Sequence, residues 1–282
     1  MKMWITGAKG LLGKALAEAT KGSSIGSGRE VDIGDLDAVR AFAKANLFIT
    51  HIVNCAAFSL VDLSETNREE AFRTNALGPE NLGKVAQEIG AKFIHLSTDY
   101  VYPGDITRPL KETDPVGPLN YYGETKLEGE KRVQKIMPTA SVLRTSWIFG
   151  RGGKNFVGTL LQLLQEKEEV RLSNDQWGRP TYAPDLAAAI LQMMNTSGLY
   201  QFANAGAATK FTFGCAMRDL AEQMKWPIRA KSLVAVPSTT FPSVCKRPAY
   251  SVFDTSKIER ILKTPIRTWQ EALREFLCIT TS

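Results

Sequence analysis

The chain has 282 residues, which at a typical ~150 residues per domain means about two units, or one large α/β domain with an appendage. Hydrophobic residues at 44% and charged residues at 23% exclude a disordered, collagen-like or disulfide-stapled chain. The net charge of +6 suits an anionic small molecule as well as nucleic acid, so charge alone selects neither.

In chain order, Met3-Trp4-Ile5-Thr6 reads as a short strand, and a glycine loop from Gly7 to Gly13 leads into a helix through about Lys21. Ile52-Val53-Asn54-Cys55 is a second clear strand, followed by a helical stretch from about Asn67 to Ile89. Lys92-Phe93-Ile94-His95-Leu96 is a third, a helix runs through Lys126 and Arg132, and Ser141-Val142-Leu143-Arg144 is a fourth strand. Short apolar runs alternating with helical patterns argue for βαβ units in a parallel sheet. Right-handed crossovers then leave a Rossmann-like α/β fold, a doubly wound sheet with helices on both faces. Beyond about Gly150 the pattern loosens. Helices are expected over Asn155 to Lys167 and Asp185 to Asn195, and Leu199-Tyr200-Gln201-Phe202 returns as a late strand of the same sheet. Residues 1–150 are therefore expected to form the dinucleotide-binding domain, with a late strand near 198–204. Residues 151–282 supply most of a smaller, partly interleaved substrate-side lobe.

The rare residues narrow the chemistry. Two histidines, His51 and His95, are few for a zinc site or a Ser-His-Asp triad. The four cysteines are far apart and include no C-x-x-C, which fits reduced thiols. No run of ~18 apolar residues could span a bilayer. The opening MKMWITGAKG meets lysine and glycine too soon for a secretion signal. The expectation is a cytoplasmic protein with no membrane partner.

Gly7-Ala8-Lys9-Gly10-Leu11-Leu12-Gly13 is G-x-x-G-x-x-G, directly after a strand and opening a helix. Its glycines allow a tight turn, a close approach to a pyrophosphate and close helix packing. The helix N-terminus at Leu11 and Leu12 offers N–H groups to phosphate. The adenosine ribose is read about 20 residues on, where Ser27 and Arg29 suit the 2′-phosphate of NADP and Glu30 suits the 2′-hydroxyl of NAD. Asp32 and Ile33 are candidates for the adenine, or a helix-capping region together with Asp35. The small residues of Cys55-Ala56-Ala57 leave room for a flat cofactor, or pack closely.

Tyr122-Gly123-Glu124-Thr125-Lys126 is Y-x-x-x-K, and i, i+4 spacing puts phenol and ammonium on one helix face. A neighbouring ammonium is expected to lower the phenol pKa from about 10. Thr98 closes a strand where open α/β sheets bind ligands. It can hydrogen-bond a substrate carbonyl or simply cap the turn.

These residues together resemble the extended short-chain dehydrogenase/reductases, and within them the dTDP-4-dehydrorhamnose reductases. The resemblance covers nearly the whole chain. It rests on the glycine loop, Asn54-Cys55-Ala56-Ala57, Val61-Asp62, Thr74-Asn75-Ala76, Leu96 to Tyr102, Tyr122 to Glu130, Arg144-Thr145-Ser146-Trp147, Asn155-Phe156, Asp175 to Thr181 and Arg247-Pro248. It implies reduction of the 4-keto group of dTDP-4-dehydro-L-rhamnose by NADPH, with NADH as the alternative. By resemblance, Tyr122 protonates the oxygen at C4, Lys126 lowers its pKa and holds the ribose, and Thr98 orients the oxygen. Asn75 positions Lys126 through water. Val61, Asp99, Tyr100 and Trp147 line the sugar pocket, and Asn155 and Arg179 serve the nucleotide diphosphate. The implied partner is a nucleotide sugar, with no nucleic acid, and a homodimer is left open.

There are departures. Val61-Asp62-Leu63-Ser64-Glu65 stands where the family often has Val-Asp-Lys-Ala-Glu, and the second and third strands read as compressed between Ser23 and Ile33. No acidic cluster matches the family's magnesium site, so no metal is expected. The related 4,6-dehydratases resemble Ser-Thr-Asp-Glu at the strand end, whereas here Tyr100 follows Asp99. Epimerases resemble Ser-Ser-x-x-Val-Tyr-Gly, whereas here Pro103-Gly104 follows Tyr102. The regulatory β subunit of methionine adenosyltransferase is also similar and keeps Y-x-x-x-K, which leaves a non-catalytic, nucleotide-binding role as the alternative.

Overall fold

The computed structural model describes residues 2–153 and 155–280. The first half alternates strand and helix: β1 (Met3–Thr6), α1 (Leu11–Ala19), β2 (Ser24–Ser27), α2 (Leu36–Ala45), β3 (His51–Asn54), α3 (Val61–Ser64), α4 (Arg68–Phe72), α5 (Gly78–Glu88), β4 (Lys92–Thr98), α6 (Tyr121–Ile136) and β5 (Ser141–Thr145). A π-helical turn, Arg73–Leu77, joins α4 to α5. The second half holds β6 (Ile148–Phe149), α7 (Phe156–Glu166), β7 (Glu169–Ser173), β8 (Thr181–Tyr182), α8 (Ala183–Gln192), β9 (Gly198–Phe202), α9 (Lys210–Gln223), β10 (Ser232–Val236), α10 (Ser256–Glu259) and α11 (Trp269–Thr280).

Six strands form one parallel sheet in the order β2-β1-β3-β4-β5-β9. The late strand thus returns to the sheet as expected, beside β5. Strand order reverses between β1 and β3, and an open α/β sheet binds ligands outside the carboxyl ends of its strands at such a point. The glycine loop follows β1 and Cys55-Ala56-Ala57 follows β3, so topology alone brings the two motifs together.

Side chains alternate across this sheet and fill two separate layers. Ile5, Ile94, Leu96 and Leu143 pack beneath Leu16 of α1 and Leu186 and Ile190 of α8. Trp4, Ile52, Phe93 and Val142 pack beneath Val39 of α2, Leu82 and Val85 of α5, and Val133 of α6. Each fully buried Leu, Ile or Val contributes roughly 1.5–3 kcal/mol. A third core lies in the second half and is aromatic. Phe149, Tyr182, Phe213, Trp269 and Phe276 meet ring to ring with centroids 5.1–6.5 Å apart. No helix among the described residues is long and apolar enough to cross a membrane.

One expectation needs correction. The stretch from Ser23 to Ile33 holds one strand, not two. After Ser27 the chain turns through Gly28 and Asp32, with Val31 N–H donating to Gly28 O at 3.2 Å and Asp35 N–H to Asp32 O at 3.1 Å. Val31 and Ile33 alternate like strand residues because both are loop side chains buried in the layer under α2. Asp35 then caps α2, its carboxylate accepting from Asp37 N–H at 2.9 Å and Ala38 N–H at 3.3 Å.

Candidate active site

The glycine loop is shaped by contacts that only glycine tolerates. Gly7 has φ +63°, and a Cβ there would run into the backbone of Cys55 and Ala56. A Cβ on Gly13 would strike Gly7 O and Ala8. Gly10 caps α1 without any side-chain cap, which leaves the helix N-terminus open to a phosphate. Leu11 is half-buried and Leu12 belongs to the core, so their side chains hold the helix down and only their backbone faces the crevice. Across the crevice, Cys55 and Ala56 are half-buried and Ala57 is exposed. Ala56 N–H is held by Asn54 Oδ1 at 3.1 Å. A flat dinucleotide fits this cradle, which any larger side chain on Gly7 would fill.

The residues expected at the adenosine end divide. Ser27 is 1% exposed, and its hydroxyl accepts from Trp4 Nε1 at 2.9 Å, so it faces inward and is withdrawn from a 2′-phosphate. Arg29 is exposed at the end of β2. Glu30 folds back: its carboxylate accepts from Gly28 N–H at 2.5 Å and pairs with Lys9 of the glycine loop at 3.4 Å. Those bonds, led by the Gly28 N–H, hold it below the usual carboxylate range. Asp32 accepts from Gly34 N–H at 2.8 Å and pairs with Arg73 at 2.6 Å. Ile33 is a core side chain whose carbonyl accepts from Asn81 at 3.0 Å. Lys9 and Arg73 carried no motif signal of their own.

Tyr122 and Lys126 project from the first turns of α6, whose start is fixed by Asn120 accepting from Gly123 N–H at 2.9 Å. The helix lies so close to the strand ends that a Cβ on Gly123 would meet Tyr100 O, and one on Gly129 would meet Asn75 O. Tyr122 lies beside the Thr98 hydroxyl, which acts on the phenol, and Thr98 Oγ1 donates to Asp99 Oδ1 at 3.1 Å. Ser251 donates to the other oxygen, Oδ2, at 2.7 Å. Thr98 thus stands between the phenol and a buried, hydrogen-bonded carboxylate at the end of β4. Tyr100 stacks edge-on against Tyr122, with centroids 5.5 Å apart.

The protonation states differ from the simple i, i+4 expectation. Lys126 is buried and its ammonium donates to Leu96 O at 2.6 Å. Burial pushes it down to about 8, against the opposing pull of Glu130. Burial also pushes the Tyr122 phenol up to about 12, with the Thr98 hydroxyl working the other way. Tyr122 is thus a neutral phenol around pH 7, the form that can donate a proton. Asp99 is pushed up to about 6 by burial, opposed by Ser251 and Thr98.

Asn75 sits in the π turn, a feature frequent at functional sites. It accepts from Phe58 N–H at 2.8 Å, donates to Phe58 O at 3.1 Å and donates to Thr125 Oγ1 at 3.0 Å. Its amide therefore ties the chain after β3 to the residue preceding Lys126. One turn further along α6, Glu130 makes a buried bidentate pair with Arg144 at 2.9 and 2.7 Å. Arg144 also donates to Tyr102 Oη at 2.7 Å.

On the substrate side the structure gathers Val61, Asp99, Tyr100 and Trp147 near the β4 end but assigns Asn155 and Arg179 elsewhere. Val61 is half-buried on α3, where its carbonyl accepts from Cys245 Sγ at 3.3 Å. Trp147 adopts φ +45°, a sparsely populated conformation for a bulky residue. Its carbonyl takes Thr181 N–H at 3.2 Å, and its ring lies where a Cβ on Gly178 would go. Asn155 caps α7, accepting from Gly158 N–H at 3.1 Å and donating to Gly150 O and Gly153 O. Arg179 is 9% exposed and donates to Asn204 O at 2.9 Å, Phe253 O at 2.7 Å and Thr255 Oγ1 at 3.2 Å. Both were expected on the diphosphate because of their side-chain chemistry. Here those side chains satisfy backbone groups and fasten loops together. Two cations with no assigned role, Lys210 and Arg247, reach the same region through their charges, which act on Asp99 and Tyr100.

The departure at Val61 to Glu65 also has a structural reading. Asp62 accepts from Ser243 at 2.8 Å and pairs with Arg247 at 2.9 Å, while Glu65 accepts from Tyr121 N–H at 2.8 Å. The acids of this stretch fasten residues 243–247 and the start of α6 beside Tyr122.

Comparison with known proteins agrees with this geometry. A family model described as the RmlD substrate binding domain matches residues 1–281. A dTDP-4-dehydrorhamnose reductase from Mycolicibacterium smegmatis is 38% identical over 96% of this chain and 83% of its own length. The crystal structure of a dTDP-4-dehydrorhamnose reductase from Clostridium acetobutylicum superposes with a TM-score of 0.94 at 33% identity, covering 100% of both chains. One from Bacillus anthracis, solved in complex with NADP, gives 0.91 at 31% identity over 99% of both. A matched model along essentially the entire sequence, together with the Tyr-x-x-x-Lys helix set against the Thr98 strand end, makes this chain a member of the dTDP-4-dehydrorhamnose reductase family.

Proposed function

We propose that the chain is an NADPH-dependent reductase of a nucleotide-sugar 4-ketone, converting dTDP-4-dehydro-L-rhamnose to dTDP-L-rhamnose. The observation that carries the reading is the neutral Tyr122 phenol set beside Thr98 at the carboxyl end of β4, one helical turn from Lys126. Family membership and the NADP-bound relative support the substrate class and the coenzyme.

The nicotinamide coenzyme, when bound, supplies the hydride. The backbone around Gly7, Gly10 and Gly13 would hold its pyrophosphate, Cys55 and Ala56 would flank it, and Arg29 with Lys9 would meet a 2′-phosphate. Tyr122 donates its proton to the oxygen at C4 as negative charge develops there. Thr98, its hydroxyl turned from Asp99, would donate to the same oxygen. Lys126, close to its own titration point, is a nearby ammonium that stabilises the tyrosinate left behind. Asn75 fixes α6 relative to the chain after β3. Val61, Tyr100 and Trp147 form apolar walls around the sugar, and Asp99 accepts from its hydroxyls.

The test is oxidation of NADPH and NADH by the purified protein with dTDP-4-dehydro-L-rhamnose generated in place. Stoichiometric formation of dTDP-L-rhamnose is expected. No coenzyme consumption with this substrate would overturn the reading, and recovery of an adenosyltransferase in a pull-down would favour the non-catalytic alternative.

A further inference from the structure

We propose that Lys210, assisted by Arg247, grips the diphosphate of the nucleotide sugar; this deepens the substrate reading above and rests on it. Lys210 is the first residue of α9. Its ammonium lies 3.4 Å from the centroid of the Trp147 ring and 4.2 Å from that of Phe156. Aromatic faces attract a cation through their quadrupole but accept no conventional hydrogen bond. Among the described residues the Lys210 ammonium has neither a hydrogen-bond acceptor nor an ion-pair partner, so its three donors remain available.

The charges around it favour an anion. Arg247 is close enough to repel the Lys210 ammonium, and its own guanidinium is steadied by Asp62 at 2.9 Å. The one carboxylate acting on Lys210 is Asp99, whose oxygens already take Thr98 and Ser251. Lys210, at the start of a 14-residue helix and with Arg247 near it, therefore meets one carboxylate, Asp99, that is already engaged. Burial and the Arg247 charge push Lys210 down to about 7, against the pull of Asp99. An anionic ligand would restore its charge and relieve the repulsion. A diphosphate oxygen accepts the N–H groups that the rings leave free. Asp99 connects this place to the chemistry, because Thr98 beside it serves Tyr122.

Trp147 is part of the device. Its left-handed backbone turns the indole beneath the ammonium, with Gly178 leaving room for the ring. Strain of this kind persists where the surroundings hold it and clusters at ligand sites.

The experiment uses the full chain, with Lys210→Met removing the charge and Lys210→Arg keeping it. Binding of dTDP, which has the diphosphate but lacks the substrate's hexose, is measured by calorimetry, with thymidine as the phosphate-free control. Lys210→Met should weaken dTDP roughly 10- to 100-fold, the range for loss of one charge-assisted hydrogen bond. Thymidine binding should be unchanged, and Lys210→Arg should restore most of the dTDP affinity. In turnover, Lys210→Met should raise KM far more than it lowers kcat. Equal dTDP affinity in Lys210→Met and wild type would overturn the proposal, as would equal weakening of dTDP and thymidine. If the wild type binds no dTDP, the substrate reading itself fails and this proposal falls with it. Wild-type turnover with no effect of the variants would overturn this proposal alone.

Discussion

Tyr122 carries the largest residue-scale expectation. A positioned general acid typically contributes 10²- to 10⁴-fold. Tyr122→Phe removes only the hydroxyl and keeps the edge-on contact with Tyr100. It should therefore lower kcat by about 10²-fold or more while NADPH affinity, read by fluorescence titration, stays within about twofold. Near-normal turnover would show that another group delivers the proton. At the other end of the crevice, the Lys9–Glu30 pair joins the loop lysine to the acid that rivals Arg29. Glu30→Gln releases Lys9 and removes a negative charge beside the 2′-position, so the ratio of NADPH to NADH affinity should rise. Arg29→Ala should lower the same ratio. A ratio indifferent to both changes would place the 2′-phosphate elsewhere. The grouping of Thr98, Tyr122 and Lys126 was legible because a strand end and an i, i+4 pair put chemistry into local spacing. Lys210 was not, because Trp147, Phe156 and Asp99 come from distant stretches and only packing brings them to its ammonium. Nor were the backbone partners of Asn155 and Arg179, whose donors suit phosphate oxygens and backbone carbonyls equally well.

At the scale of elements, catalytic geometry depends on how closely α6 approaches the π turn. Gly129 makes the approach feasible, since a methyl group there would press on Asn75 O and Pro79. Gly129→Ala should destabilise the protein by about 1–3 kcal/mol, the usual cost of overpacking. It should also lower kcat, because the helix it displaces carries Tyr122 and Lys126. A variant of wild-type thermal stability and full kcat would show that the helix can shift without consequence. The six-stranded sheet was readable from alternating apolar runs and glycine punctuation, including its late return at β9. The π turn was not, because one inserted residue within a continuous helical pattern leaves the apolar period nearly intact. Nor was the loop after β2, since Val31 and Ile33 fill a core layer from irregular backbone and so imitate the alternation of a strand.

For the molecule as a whole, the site is a place where the fold gives up stability. Asp99 has its carboxyl raised from 3.8 to about 6, and Lys126 and Lys210 are lowered from 10.5 to about 8 and about 7. A carboxyl with a raised folded pKa stabilises only while protonated. Its contribution is complete below about 3.8 and is lost as pH rises through about 6. The lysines run the other way: theirs is complete above 10.5 and is lost as pH falls through about 8 and about 7. Near neutral pH, Asp99 and Lys126 are therefore largely held in their unfavourable charged forms and Lys210 partly so, at a cost for Asp99 alone on the order of 2–3 kcal/mol. Asp99→Asn keeps the shape and one acceptor oxygen while removing the charge; its amide NH2 replaces the other oxygen, so one of the Thr98 and Ser251 hydroxyls must turn to accept, much as it would beside a protonated carboxyl. At pH 7.5 it should raise the melting temperature by a few degrees, at roughly 2–4 °C per kcal/mol for a chain of this size class. The gain should shrink to nothing near pH 4, where the wild-type carboxyl is also protonated, while kcat/KM falls at every pH because the acceptor beside Thr98 has lost its charge. Thermal melts of the two proteins across this range measure the difference directly. A gain that persists unchanged at pH 4, or a loss of stability at both ends, would mean that the buried carboxylate is not the source of the strain.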